Sequence, residues 1–518
     1  MVLGTDVFDR FLEENRLRDF ALEVRDDGKV RRRFQEARFP RDIAADLEAY
    51  LRLTPYPLAV RSSSLLEDSP FQPLAGIYDT YMLANNEKAL RTRLERLIAA
   101  VKGVYASTFS ERAKSYLEAT AFRLEEEKMA VILQKIVGGQ HGGRFYPDFS
   151  GVARSNNFYP AGPMRSEEGI AAVALGLGKT VVDGGTCLRF CPRHPRHLPQ
   201  FASVDDVMGN SQREFYALQL DAGDGSRPEA AVRSFDLAAA EADGVLAALG
   251  STYSPENDAV YDGLSRPGTR VVTFAPILKH GLFPLAELVD SLLRLGRWGA
   301  SADVEIEFAV NLSVPSGAPR EFGFLQLRPQ ALAEAVEELD LEATDPERIL
   351  CRSASVLGNG RVADLRDIVV ADRERFDRSR SREAAQELTR LNATLLRQAT
   401  PYLLVGVGRW GSNDPWLGIP VTWDQIAGAR VIVESGFRDL QVAPSQGTHF
   451  FHNLTSCNIG YFTVNPEAGD GRIDWDWLAR QPAVEEGAFF RHIRLDRPIE
   501  VLMNGKRQQG VILKPTSS

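Results

Sequence analysis

The sequence predicts an α+β protein of more than one domain. Three observations carry that prediction. A chain of 518 residues exceeds what one ordinary core encloses. Short apolar runs of strand type, such as Met129–Val137, are interspersed with helical stripes, such as Leu90, Leu94, Leu97, Ile98 and Val101. Beyond an acidic, helix-patterned stretch at Ala331–Arg348, the remaining residues turn glycine- and strand-rich.

The amino terminus enters a helix almost at once, with Thr5 or Asp6 as cap and Val7, Phe8, Phe11 and Leu12 on one face. It lacks the basic flank and apolar run of a signal peptide, and its abrupt start is what a chain missing a preceding strand or loop would show. Residues 45–85 alternate turn signals with short apolar segments. A helix is expected from Glu87 to about Lys114, another through Ala113–Glu126, then a buried strand at Met129–Val137. Gly151–Arg154 and Ala171–Leu175 read as further strands, and residues 207–300 as mostly helical with loops. Val304–Asn311 and Phe322–Pro329 read as a hairpin turned by Pro315–Pro319. In the last third, a helix near 382–398 carries Leu388, Leu391 and Leu395 on one side. Domain limits are expected at 1–205, 206–330 and 331–518.

A formal charge of -9 argues against a broad nucleic-acid surface. No apolar run reaches the length of a membrane span. Four cysteines are too few for a disulfide framework, and the spacing of Cys187 and Cys191 is not that of a zinc site. A reducing cytoplasm fits this usage.

Arg61 ends an apolar run in Leu58–Ser69. Its guanidinium fork matches phosphate oxygens, and Ser62, Ser63 and Ser64 add hydroxyl donors. The competing structural account pairs Arg61 with Glu67 or Asp68. Glu305 and Glu307, two apart on a strand, face one side. Two such acids need water or a shared cation. With Gln326 and Arg328 on the return strand they form either a cluster suited to magnesium and nucleotide phosphates or an exposed, salt-bridged hairpin. Gly176–Thr180 imitates part of a P-loop and brings Lys179, but it lacks the full spacing of a Walker ATPase.

Val60–Ser63, Ala75-Gly76 with Asp79-Thr80, Ser150–Arg154, Gly176–Gly178 with Val181-Val182, Glu305–Phe308 and Leu325–Pro329 occur in a set order. That order resembles the nucleotide-binding domain of the phosphoenolpyruvate synthase and pyruvate phosphate dikinase family, over roughly residues 1–330. The resemblance implies an ATP-grasp fold with ATP between two subdomains. It implies ATP and Mg2+ as cofactors, with Arg61, Ser62, Arg154, Glu305, Glu307, Gln326 and Arg328 around the nucleotide. Glu307 and Gln326 would hold the metal, and Arg61 and Arg328 would act in catalysis. In that family ATP phosphorylates a histidine, which passes the phosphoryl group on to pyruvate. Two features depart from the family. The glycine-rich lysine loop expected upstream is not in this sequence, and Lys179 stands where glutamate is common. There is also no room for the large pyruvate-binding barrel, so a complete synthase is not expected.

Further on, Trp423, Ala429–Glu434 and Gly447-Thr448-His449 loosely resemble the family's phosphohistidine domain, which would make His449 a phosphoryl carrier. His449 with His452 as a metal pair, or a packed structural His449, are the competing readings. Arg409 and Asp414 lie in a separate glycine-rich loop suited to a phosphate contact or to packing. The expected function is an ATP- and magnesium-dependent phosphotransferase acting on an internal histidine, a small molecule or a carrier protein. A nucleotide-binding regulatory protein and an ATP-grasp ligase working through an acyl phosphate are the alternatives. Assembly as a homo-oligomer is left open.

Overall fold

The structure is a computed structural model. It describes residues 1–64, 67, 76–118, 123–158, 160, 162–220, 231–315, 317–329, 345–412, 414, 416–436, 442, 450–451, 454, 459–505 and 507–515. The chain divides into two compact units. The first comprises Met1–Ser155, Gly169–Val181 and Thr186–Pro329. The second comprises Asn156–Glu168, Val182–Gly185 and Gln330–Ser518, so two short segments from the amino-terminal half of the chain belong to it. Helices and several sheets in separate units make the chain an α+β multidomain protein.

In the first unit a four-stranded antiparallel sheet has the order Val2–Leu3, Met129–Lys135, Leu58–Ser64, Tyr81–Leu83. The amphipathic helix Thr5–Glu14 buries Val7, Phe8, Phe11 and Leu12, the face that periodicity predicts. Phe8, Phe11 and Phe34 meet Tyr105 and Phe109 in an aromatic cluster. The expected cap is corrected. Gly4, not Thr5 or Asp6, is the N-cap, without a side-chain hydrogen bond. The Val2–Leu3 strand leaves one residue in which to turn, and a Cβ at Gly4 would lie 2.4 Å from the Asp6 carboxylate.

A five-stranded antiparallel sheet runs Glu321–Pro329, Val304–Asn311, Phe149–Arg154, Ile170–Leu175, Leu188–Phe190. Its core includes Ile306, Phe308, Val310, Val173 and Leu175. The largely helical expectation for residues 207–300 does not hold. Helices occur at Val204–Asn210, Leu237–Ala242, Ala275–Leu278 and Leu285–Ala300, but the described residues of the segment also form strands at Glu214–Gln219, Val232–Asp236, Gly250–Ser254, Ala259–Asp262 and Thr269–Val272. These strands are only four to six residues long, so none carries a long apolar run. No helix among the described residues is long and apolar enough to cross a membrane.

The second unit is built on a ten-stranded mixed sheet. Four neighbouring strands run parallel: Asn359–Ala371, Tyr402–Val407, Ala429–Ser435 and Gly460–Val464. The helix Ser381–Arg397, connecting the first two, buries Leu388, Leu391 and Leu395. Inward residues of these strands, among them Ile368, Leu403, Val405, Val431, Val433 and Phe462, form the core with Ile493 and Val501 from the antiparallel side. Such nearly continuous apolar runs are what parallel strands covered on both faces require. Most of the expected helical stretch Ala331–Arg348 lies outside the described residues; Pro346–Arg348 is a single 3-10 turn.

Candidate functional site

Val304–Asn311 is flanked by Phe149–Arg154 on one edge and Glu321–Pro329 on the other, and this placement sets the site. In the register, Glu305 lies between Arg154 and Arg328, and Glu307 between Val152 and Gln326. Alternation along the central strand puts both glutamates on one face. The register then shifts between Glu307 and Phe308, because Leu325 is an extra residue on the return strand. Gln326 and Arg328 therefore join the glutamate face, while Phe322 and Phe324 lie across from Val310 and Phe308.

Arg154 and Glu305 are nearly inaccessible to solvent, at 1% and 4% exposure. The Arg154 Nε donates to Glu305 Oε2 at 2.6 Å, and Nη2 stands 2.5 Å from the same oxygen. Burial is tolerable for these charges because each compensates the other. On the opposite face of the same strand, Gly151 makes room for the Phe308 ring. A Cβ there would come within 2.4 Å of the Phe308 ring and 2.8 Å of the Ala172 carbonyl oxygen. Gly151→Ala is expected to lower the stability of the first unit by about 1–3 kcal/mol through overpacking, checked by urea denaturation.

Arg61 reaches the same face from the four-stranded sheet. Its Nη1 donates to Gln134 Oε1 at 3.1 Å, and its Nη2 to Glu307 Oε2 at 3.4 Å and to Gln326 Oε1 by a short bond. On the far side of Glu307, Arg328 Nη1 donates to Oε1 at 3.4 Å, while its Nη2 lies 3.7 Å from Glu67 Oε1. Glu67 is itself buried, with its backbone N–H donating to Ser64 Oγ. The structural pairing weighed for Arg61 with Glu67 is instead made by Arg328, and Asp68 lies outside the described residues. Ser62 is buried on the opposite side of its strand from Arg61, while Ser63 shares the Arg61 side. Gln134, which sequence reasoning did not single out, ties the two sheets together. It accepts from Arg61 and donates to the carbonyl of the bulged Leu325 at 3.3 Å. No local sequence signal marks it, since its role depends on how the sheets meet.

The donor set fits a hard cation. Glu307 supplies a carboxylate and Gln326 an amide oxygen from directly opposed positions, and the guanidinium of Arg61 already occupies both as a stand-in cation. Among the described residues no group of three or more His, Cys, Asp or Glu is arranged to hold a metal. Glu307 and Gln326 are the residues that would hold such a cation, which would supply positive charge to phosphate oxygens.

Lys179 opens the short helix Lys179–Val182 with its ammonium 5.5 Å from the centre of the Tyr216 ring, a cation–π geometry. His449 and His452 lie outside the described residues. In the second unit Arg409 is buried where the chain leaves the parallel strand Tyr402–Val407. Near it the fully buried Glu434 accepts from the hydroxyls of Tyr461 and Thr463, the latter at 2.9 Å, and from the Trp410 backbone N–H. Burial raises the Glu434 carboxyl from 4.5 to about 7, against the opposing pull of these donors and of the Arg409 charge.

Guanidinium groups interleaved with carboxylates and an amide oxygen on adjacent strands belong to the class of charged site that suits polyphosphates and a hard cation. The chain belongs to the family described as pyruvate phosphate dikinase, AMP/ATP-binding domain, which matches residues 1–348. It is 30% identical over 203 residues to a probable phosphoenolpyruvate synthase of Methanocaldococcus jannaschii, covering 35% of this chain and 16% of that protein. An uncharacterized phosphotransferase of Bacillus subtilis is 29% identical over 185 residues, 35% of this chain and 20% of the relative. A rifampicin phosphotransferase of Bacillus cereus is 27% identical over 179 residues, 33% of this chain and 18% of the relative. The matched stretches thus span no more than a fifth of the length of these relatives.

Proposed function

We propose that the first unit binds ATP with magnesium and supports phosphoryl transfer of the dikinase-like class. The observation that carries this reading is the convergence of Arg61, Glu307, Gln326 and Arg328 within one unit of a chain that belongs to an AMP/ATP-binding family. Residues 1–205 and 206–330 would be the two subdomains of an ATP-grasp-like region. Residues 331–518 would form a carboxyl-terminal domain akin to a phosphohistidine domain, all in the cytoplasm.

Phosphoryl transfer demands alignment and charge stabilisation more than covalent help from the protein. Arg61 presents its fork to the phosphates, and Arg154 adds positive charge from behind its buried pairing with Glu305. Glu307 and Gln326 hold the metal, and Arg328 keeps Glu307 oriented while facing the charge that develops during transfer. Ser62 contributes by fixing its strand. Bound ATP and magnesium supply the phosphoryl group and neutralise its charge. The acceptor is His449, a small molecule or a carrier protein.

The test uses ATP labelled separately at the β and γ phosphates. Acid-labile β label on the wild type, with AMP released, is the expected result. His449→Ala should lose the label, and Glu307→Gln should slow AMP release by roughly 10²–10³-fold, the scale for removing one electrostatic stabiliser. Nucleotide binding with neither label nor AMP, with or without added acceptors, would replace this reading by a regulatory one. Product that requires an amine or thiol would replace it by ligation.

A further inference from the structure

We propose that Arg61 is a displaceable plug, holding Glu307 and Gln326 closed to cations until an anionic polyphosphate draws its guanidinium away. This rests on the assignment of those two residues to the metal side of the nucleotide site.

The guanidinium bridges the pair, taking one oxygen from each through Nη2. Arg328 holds the other oxygen of Glu307 at 3.4 Å, so both carboxylate oxygens already face positive charge. A metal ion that approaches alone must displace a charge-assisted hydrogen bond and meet two like charges. A polyphosphate offers Arg61 a better acceptor. Once the fork turns to it, Glu307 and Gln326 are released with their oxygens still opposed across the hairpin. Arg61 need not lose its anchor in the exchange. Its Nη1 bonds to Gln134, on the strand paired with its own, and Gln134 also binds the bulged Leu325 of the hairpin. The side chains of Arg61 and Glu307 keep 18% and 16% of their surface exposed, so solvent and ligands have access. The device would make nucleotide and metal bind in concert and would suppress occupation of the site by free metal.

The test is Mn2+ binding without nucleotide, followed by loss of the free-ion electron paramagnetic resonance signal. Arg61→Ala should bind Mn2+ at least about tenfold more tightly than the wild type, the scale of one hydrogen bond to a charged group. Arg61→Ala combined with Glu307→Gln should lose that gain. Arg61→Gln, whose amide can still bond to Gln134, replaces the alanine variant if the latter melts early. Unchanged or weaker Mn2+ binding in the Arg61 variants overturns the proposal, and so does a gain that survives Glu307→Gln. Calorimetric titration of the wild type with magnesium and ATP tests the nucleotide assignment separately. Failure there with the Mn2+ gain intact would remove the nucleotide reading and leave the plug as a cation-exclusion device.

Discussion

Arg154→Ala is expected to destabilise the first unit by roughly 3–5 kcal/mol, the cost of leaving a buried charge without its partner. The residue is 1% exposed, and two of its nitrogens converge on one oxygen of Glu305, itself 4% exposed. Removing the guanidinium strands that carboxylate among apolar strands, where water cannot replace what is lost. Arg328 stands directly across from Glu305 in the hairpin register and will absorb part of the penalty, which favours the lower end of the range. Arg154→Met with Glu305→Gln removes both charges and should recover at least half of the loss. Urea denaturation followed by far-ultraviolet circular dichroism reads the effect. Equal losses in the single and double variants would show that the pair is not its source. The double variant also divides two roles of Arg154. If its charge assists phosphate binding, the refolded double variant will bind ATP less tightly than the wild type despite restored stability.

The hairpin illustrates what the sequence reveals and what it withholds. Alternation along Val304–Asn311 is enough to put Glu305 and Glu307 on one face, and alternation along the return strand keeps Gln326 and Arg328 together, on that same face in the structure. Plain alternation would also place Phe322 and Phe324 on that face. The bulge at Leu325 sends the two phenylalanines to the other side, and nothing in the residue order marks it. Arg61 stands out as a strand-end cation, but its partners come from strands more than 70 residues away, so neither Gln134 nor the bridge to Gln326 is readable locally. Helices with strong stripes, Thr5–Glu14, Leu90–Ser107 and Ser381–Arg397, are legible because 3.6-residue periodicity accumulates over several turns. The strands within 214–272 are four to six residues long and half exposed, so their period-two signal stays short. The capture of Asn156–Glu168 and Val182–Gly185 by the second unit depends on tertiary packing alone.

The second large effect concerns pH and lies in the second unit. Glu434 is completely buried, and burial lifts its carboxyl from 4.5 to about 7. The unfolded chain releases this proton near 4.5, whereas the folded chain retains it until about 7. Between these values the native state binds more protons than the unfolded one, so stability is greatest below about 4.5, falls as pH rises through the window, and levels off above about 7. At about 1.4 kcal/mol for each tenfold change in proton affinity, the loss between pH 5 and 8 is roughly 2–3 kcal/mol. Among the described residues, the Tyr461 and Thr463 hydroxyls, the Trp410 backbone N–H and the Arg409 guanidinium face the carboxyl. None of them is expected to change protonation between pH 5 and 8. Glu434→Gln cannot titrate, and its amide can still serve both hydroxyls, because these rotate to donate or accept. Five of the six tryptophans, Trp410, Trp416, Trp423, Trp475 and Trp477, belong to the second unit, so fluorescence during urea unfolding reports chiefly on it. The wild type should lose about 2–3 kcal/mol more than Glu434→Gln between pH 5 and 8, so that the variant is relatively more stable at pH 8 than at pH 5. Parallel pH dependence in the two proteins would mean that Glu434 stays ionised throughout, with Arg409 as its working counter-charge and the network locked as an ion pair.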